Sequence, residues 1–156
     1  MEPTRWLTHD EHRLWRSFLD ATRMLFQDLD KQLVRDSGIS FADYEILVLL
    51  SEAEDRRLRM RELSDASTTT RSGITRAITR MEAAGWVQRA ECESDKRGAW
   101  AELTDKGAAT LASAGPGHVA AVRATMFAVL SPDDITVMAD AFTAMRDHIQ
   151  LHRRSG

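Results

Sequence analysis

The chain has 156 residues, 43% of them hydrophobic, with 21 Lys and Arg against 24 Asp and Glu and a net charge of −3. That length can bury a sizeable core without staples, the single cysteine, Cys92, cannot close an internal disulfide, and no window approaches the roughly 18 uninterrupted apolar residues of a membrane span. With no apolar leader at its start, the sequence is expected to be a cytoplasmic, soluble protein with no membrane partner.

Thr8 followed three residues later by Glu11 is a capping-box pattern, and Leu14, Phe18, Leu25, Leu29 and Leu33 then trace a helical stripe to a break at Gly38. A long first helix is expected. Ser40 with Asp43 repeats the capping signature and opens a second helix. Its Tyr44, Ile46, Leu47, Val48, Leu49 and Leu50 predict burial nearly all round. Residues 54–59 read as a charged connection. Residues 60–66 follow as a short helix anchored by Leu63, and Ser67, Thr68 and Thr69 supply a turn and a cap.

The next helix is the most informative. Ile74, Ala77, Ile78 and Met81 fall at i, i+3, i+4 and i+7, leaving Arg71, Ser72, Thr75, Arg76, Thr79 and Arg80 on the remaining surface. No acidic residue occurs at 69–81. Two short helices meeting at a tight turn form a helix-turn-helix, whose second helix enters the DNA major groove. Gly85 provides a left-handed stop. Residues 86–91 and 99–103 then read as two strands joined by the polar loop 92–98, a hairpin appended as a wing.

Thr104 is expected to cap a fifth helix, interrupted near Gly115, Pro116 and Gly117. Ser131, Pro132, Asp133 and Asp134 open a sixth, in which Ile135, Met138, Phe142, Met145 and Ile149 form a seam of the kind that packs on another helix, here one from a second subunit. The charge is uneven along this order. Residues 56–100 hold ten Lys and Arg against six Asp and Glu, a balance of +4, whereas the remainder holds eleven against eighteen, a balance of −7. A basic segment on an acidic scaffold fits a local phosphate-facing surface.

The side-chain chemistry agrees. Arg71 and Arg76 can each bond two acceptors of guanine, and Ser72 and Thr75 can reach base edges or phosphates. Arg56, Arg57, Arg59 and Arg61 are either phosphate grips or a solvated loop. His148 and His152, at i and i+4, lack a third ligand, and His9 and His12 are no better placed, so no metal is expected. Glu91 and Glu93 beside Cys92 argue against a low-pKa sensing thiol. No phosphate loop, G-x-G-x-x-G, H-E-x-x-H or G-x-S-x-G motif is present, so neither catalytic residues nor a cofactor are expected.

The segments MRELSDAS and TRSGITRAITRMEAAGWVQR, the DKR loop tip and the junction AELTDKG together resemble the MarR family of winged helix-turn-helix transcriptional regulators. The resemblance implies a mainly α fold with a small β-hairpin wing. One domain would span residues 1–156, with 1–38 and 105–156 as dimerisation helices and 40–104 as the DNA-binding lobe. It puts Arg71, Ser72, Thr75 and Arg76 in the major groove, lets Asp95 hold the wing and sends Arg97 into the adjacent minor groove. A guanidinium at the end of a narrow ribbon suits that groove's negative potential.

The candidate DNA contacts are thus Thr69, Thr70, Arg71, Ser72, Thr75, Arg76, Arg80, Asp95, Lys96 and Arg97. The expected partner is an inverted-repeat operator in double-stranded DNA, bound by a homodimer. The resemblance further implies a repressor released by a small aromatic or anionic ligand, with Trp6, Trp15, Phe18, Tyr44 and His118 as pocket candidates. The alternative is a constitutive or architectural DNA-binding protein without an effector. Two departures stand out: Gly73 lies inside the recognition helix, at a cost of roughly 1 kcal/mol relative to Ala, and the first helix lacks the cysteine of the family's peroxide-sensing branch.

Overall fold

The computed structural model describes residues 3–67, 70–91 and 99–155. The chain divides into two compact units, residues 1–119 and 120–156.

In the first unit, α1 (His9–Ser37) begins at the expected capping box: the Thr8 hydroxyl accepts from the Glu11 N–H at 3.2 Å, and the Glu11 carboxylate accepts from the Thr8 N–H at 2.7 Å. It stops at Gly38, whose φ of 68° is the left-handed conformation that glycine adopts without a Cβ penalty. Leu29 and Leu33 of the stripe are buried, but Leu14 is 72% exposed. Ser40 caps α2 (Phe41–Glu52) by accepting from the Asp43 N–H at 3.1 Å, and the Phe41 N–H donates to the Asp30 carboxylate of α1 at 2.8 Å. Tyr44, Ile46, Leu47 and Leu50 are buried but Val48 and Leu49 only half-buried and Glu45 exposed, so the helix is covered on most sides rather than nearly all round; the carboxylate Asp43 is buried with them.

The charged connection at 54–59 is not a loop. After a 3-10 turn in which Asp55 and Arg56 both take a left-handed φ of 53°, β1 (Arg57–Arg59) pairs antiparallel with β3 (Ala99–Leu103), placing Arg57 opposite Glu102 and Arg59 opposite Trp100. β3 also pairs with β2 (Val87–Glu91), so the wing strands belong to a three-stranded sheet in the order β1-β3-β2 rather than to a two-stranded ribbon. What replaces apolar alternation in β1 is charge and stacking. Arg57 sits 3.8 Å from Glu102, and the guanidiniums of Arg57 and Arg59 lie 4.8 and 5.2 Å from the centre of the Trp100 ring.

Between β1 and β2 stand α3 (Met60–Ala66) and α4 (Arg71–Ala84), the helix-turn-helix pair. Leu63 of α3 and Ile74, Ile78 and Met81 of α4 join Ile46, Leu47 and Leu50 of α2, with Val87, Ala101 and Leu103 of the sheet, in one core. A second cluster unites Leu33, Ile39, Tyr44 and Ala114.

α5 (Asp105–Thr125) starts where Thr104 both donates to the Gly85 carbonyl at 2.7 Å and accepts from the Gly107 N–H at 3.0 Å. The expected interruption at Gly115, Pro116 and Gly117 is absent: the helix runs through all three. A proline forfeits one backbone donor, and here the surrounding turns are held by packing. Ala114 is buried, and at Gly117 a Cβ would stand 3.2 Å from Nε2 of Gln32.

The second unit contains a 3-10 turn, Phe127–Val129, and α6 (Pro132–Ser155). Ser131 caps α6 by accepting from the Asp134 N–H at 3.2 Å, and its hydroxyl and its own N–H donate to the Asp134 carboxylate at 2.6 and 2.9 Å, which holds that carboxyl below its ordinary pKa. The seam is present and exposed: Ile135, Met145 and Ile149 are 38%, 45% and 44% accessible. Among the described residues, no helix is long and apolar enough to cross a membrane.

Candidate nucleic-acid interface

The recognition helix α4 is capped by Thr70, whose hydroxyl accepts from the Gly73 N–H at 3.2 Å. The cap is thus one residue beyond the expected Ser67, Thr68 and Thr69, of which Thr68 and Thr69 lie outside the described residues. Ile74, Ala77, Ile78 and Met81 are buried, so Arg71, Ser72, Thr75, Arg76, Thr79 and Arg80 form the exposed face. Thr75 and Thr79 donate their hydroxyl protons to the carbonyls of Arg71 and Thr75, at 3.1 and 3.0 Å, which leaves the Thr75 oxygen able to accept from a ligand.

The arginines of this region divide by their partners. Among the described residues, the side chains of Arg71 and Arg76 have neither an ion-pair nor a hydrogen-bond partner, and both are exposed. Arg80 is engaged. Its Nε donates to Oδ2 of Asp43 at 3.2 Å and its Nη2 to Oδ1, and this pairing raises the guanidinium pKa further above its ordinary value. Arg89 of β2 is engaged as well: it donates to the Thr79 hydroxyl at 2.9 Å and the Thr75 carbonyl at 3.3 Å, and pairs with Glu82 at 3.3 Å.

Three of the four candidate phosphate grips are paired too. Arg56 lies 3.5 Å from Asp105, Arg57 3.6 Å from Asp55, and Arg61 3.9 Å from Asp65; Arg59 stacks on Trp100. The net result is a helix whose leading turns present two uncommitted guanidiniums, flanked by hydroxyls, on a face without acid. Such a face is chemically suited to phosphates and to guanine edges. Thr69, Asp95, Lys96 and Arg97, together with Cys92, lie outside the described residues.

Of the pocket candidates, Tyr44 and His118 come together, with ring centres 4.4 Å apart, and the Phe41 ring lies 6.1 Å from His118. Trp15 and Phe18 form a pair on α1 at 6.3 Å, and Trp6 is 83% exposed ahead of that helix. Burial pushes the His118 pKa down and the Tyr44 pKa up. Among the described residues, Nδ1 of His118 and Oε1 of Gln32 are buried without a hydrogen-bond partner. His148 and His152 stand edge to face at 4.4 Å, and among the described residues no group of three or more His, Cys, Asp or Glu is arranged to hold a metal.

Sequence reasoning misses Glu82, Arg89 and Gln32, and marks Asp43 only for helix capping. Asp43 is 37 positions from Arg80 and doubles as a helix-start acid, so its signature was absorbed by capping.

Comparison with known proteins places this geometry. The sequence model of the MarR family matches residues 37–98. Sco3205, a MarR family transcriptional regulator from Streptomyces coelicolor crystallised in complex with DNA, is 41% identical and superposes with a TM-score of 0.89 over 96% of this chain and 94% of that one. AbsC, another MarR family transcriptional regulator from Streptomyces coelicolor, is 42% identical with a TM-score of 0.85 over 94% of this chain and 99% of that one. The HTH-type transcriptional repressor YetL of Bacillus subtilis is 37% identical over 89 residues, 57% of this chain and 53% of that protein. The chain spans about half the length of the curated relatives it matches, 53% of YetL and 56% of the Escherichia coli repressor MprA.

Proposed function

We propose that this chain, which belongs to the MarR family of transcriptional regulators, is a sequence-specific repressor that binds an inverted-repeat operator as a two-fold homodimer and is released by a small aromatic or anionic ligand. Its relatives are regulators rather than enzymes. The observation that carries the DNA reading is the pair Arg71 and Arg76. They are exposed on the acid-free face of α4 and uncommitted among the described residues, while Arg80 and Arg89 are tied to neighbours. Ser72 and Thr75 supply further bonds, and Asp95, Lys96 and Arg97 carry the wing contacts. Residues 40–104 read DNA, and residues 1–38 and 105–156 dimerise.

The ligand reading is supported by Gln32, Tyr44 and His118. The buried imidazole nitrogen of His118, unpartnered among the described residues and close to the rings of Phe41 and Tyr44, suits a planar guest whose polar group completes that bond, and the buried Gln32 carbonyl oxygen is a second unpartnered acceptor.

Arg76→Ala tests the DNA reading. Duplexes enriched by the wild-type protein from a random-sequence library serve as the operator, with scrambled duplexes as the reference. The variant is expected to lose about 1 to 3 kcal/mol of binding to the enriched duplex while its affinity for scrambled DNA changes little. Equal weakening on both would make Arg76 a backbone contact and defeat the assignment of base readout to it.

A further inference from the structure

We propose that Asp43 is a positioning residue for DNA recognition, acting through Arg80 to fix the seat of the recognition helix on α2. The inference rests on the DNA-binding reading above and goes beyond it, because neither residue then needs to touch a base.

The two ends of this pair differ in a telling way. The Asp43 side chain is 5% accessible while that of Arg80 is 57% accessible. A carboxylate buried to this degree requires compensation. It receives both a Nε and a Nη2 donor of Arg80, the two-point geometry that fixes orientation as well as distance. Position matters equally. Arg80 lies one helical turn beyond Arg76 and more than two beyond Arg71 on the exposed face of α4, so its tether to α2 governs the rotation of α4 about its axis.

Ile74, Ile78 and Met81 hold α4 against the core, and apolar burial is non-directional, so it does not by itself fix the rotation of the helix. A bidentate bond on the flank resists rolling. On the opposite flank Arg89 bonds the Thr75 carbonyl and the Thr79 hydroxyl, so α4 is held from β2 as well as from α2. A roll of α4 would swing both uncommitted guanidiniums relative to the groove.

Asp43→Asn and Arg80→Gln separate this role from a direct phosphate contact by Arg80. The probes are a duplex enriched by the wild-type protein from a random library and its scrambled counterpart, titrated at several salt concentrations. If Asp43 positions the helix, Asp43→Asn lowers the preference for the enriched duplex by roughly tenfold, Arg80→Gln does the same, and the double variant adds no further loss. The salt slope on scrambled DNA stays unchanged, and Arg80→Lys, which keeps a one-point pair, restores part of the preference.

If Arg80 instead binds phosphate and Asp43 competes for it, Asp43→Asn tightens binding to both duplexes. Arg80→Gln then lowers the salt slope by up to about 0.9. That result, or a preference unchanged in Asp43→Asn, overturns the proposal. Circular dichroism and thermal melts of each variant ensure that only folded proteins are compared; Arg80→Gln changes a half-exposed side chain and carries the test if Asp43→Asn does not fold. Failure of the wild-type protein to enrich any sequence defeats the DNA-binding reading itself and is distinguishable from both.

Discussion

His118 packs close to Tyr44 and Phe41 with its Nδ1 buried, and burial lowers its pKa from the ordinary 6.5. The unfolded chain therefore takes up the proton first as pH falls. His118 contributes most to stability above the unfolded value, and the contribution declines as pH drops through that value toward the folded one. The wild-type protein is expected to have a lower urea midpoint at pH 5.5 than at pH 7.5, and His118→Phe should flatten the difference. An equal difference in both proteins would place the titrating group elsewhere. The carboxyls of Asp36 and Asp134, held below their ordinary range, lose stability only at more acid pH and do not confuse this window. At this scale the sequence reveals what is local. Arg71 and Arg76 emerge from helical periodicity alone, whereas the division between committed and uncommitted arginines depends on Asp43, Asp55, Glu82 and Glu102, which the fold brings into reach from other elements.

Between elements, the junction of β3 and α5 shows why L-T-x-x-G ends in glycine. A Cβ on Gly107 would stand 2.1 Å from the Trp86 carbonyl oxygen and 2.7 Å from Leu103, and the carbonyl is backbone that already accepts from the Thr104 N–H at 3.1 Å. Gly107→Ala is expected to lower stability by about 1 to 3 kcal/mol, measured by urea unfolding. Gly115→Ala meets nothing within 4 Å and should raise stability by up to about 1 kcal/mol. A harmless Gly107→Ala would mean that α5 does not close on the Trp86 turn. Capping pairs and apolar spacing are properties of neighbouring residues, so the starts of α1, α2 and α6 are legible from sequence. β1 is not: three residues bearing two arginines become a strand only through Glu102 and Trp100 across the sheet. Nor is the continuity of α5, where the contacts of Ala114 and Gly117 outweigh the local signal of Pro116.

For the whole molecule, α1 and α6 each carry large apolar side chains in solvent. Leu14, Trp15 and Met24 are 72%, 50% and 57% exposed, and Ile135, Met145 and Ile149 are exposed along one seam. The proposed second copy would cover these faces, which are costly to leave wet. A two-fold pair of recognition helices then requires two half-sites about 34 Å apart, in successive major grooves. The operator enriched from a random-sequence library, footprinted and weighed in complex by light scattering, tests this most directly. Two inverted half-sites one turn of DNA apart, with two chains bound per duplex, are expected. A single unrepeated site bound by one chain, or no enriched sequence at all, would contradict it.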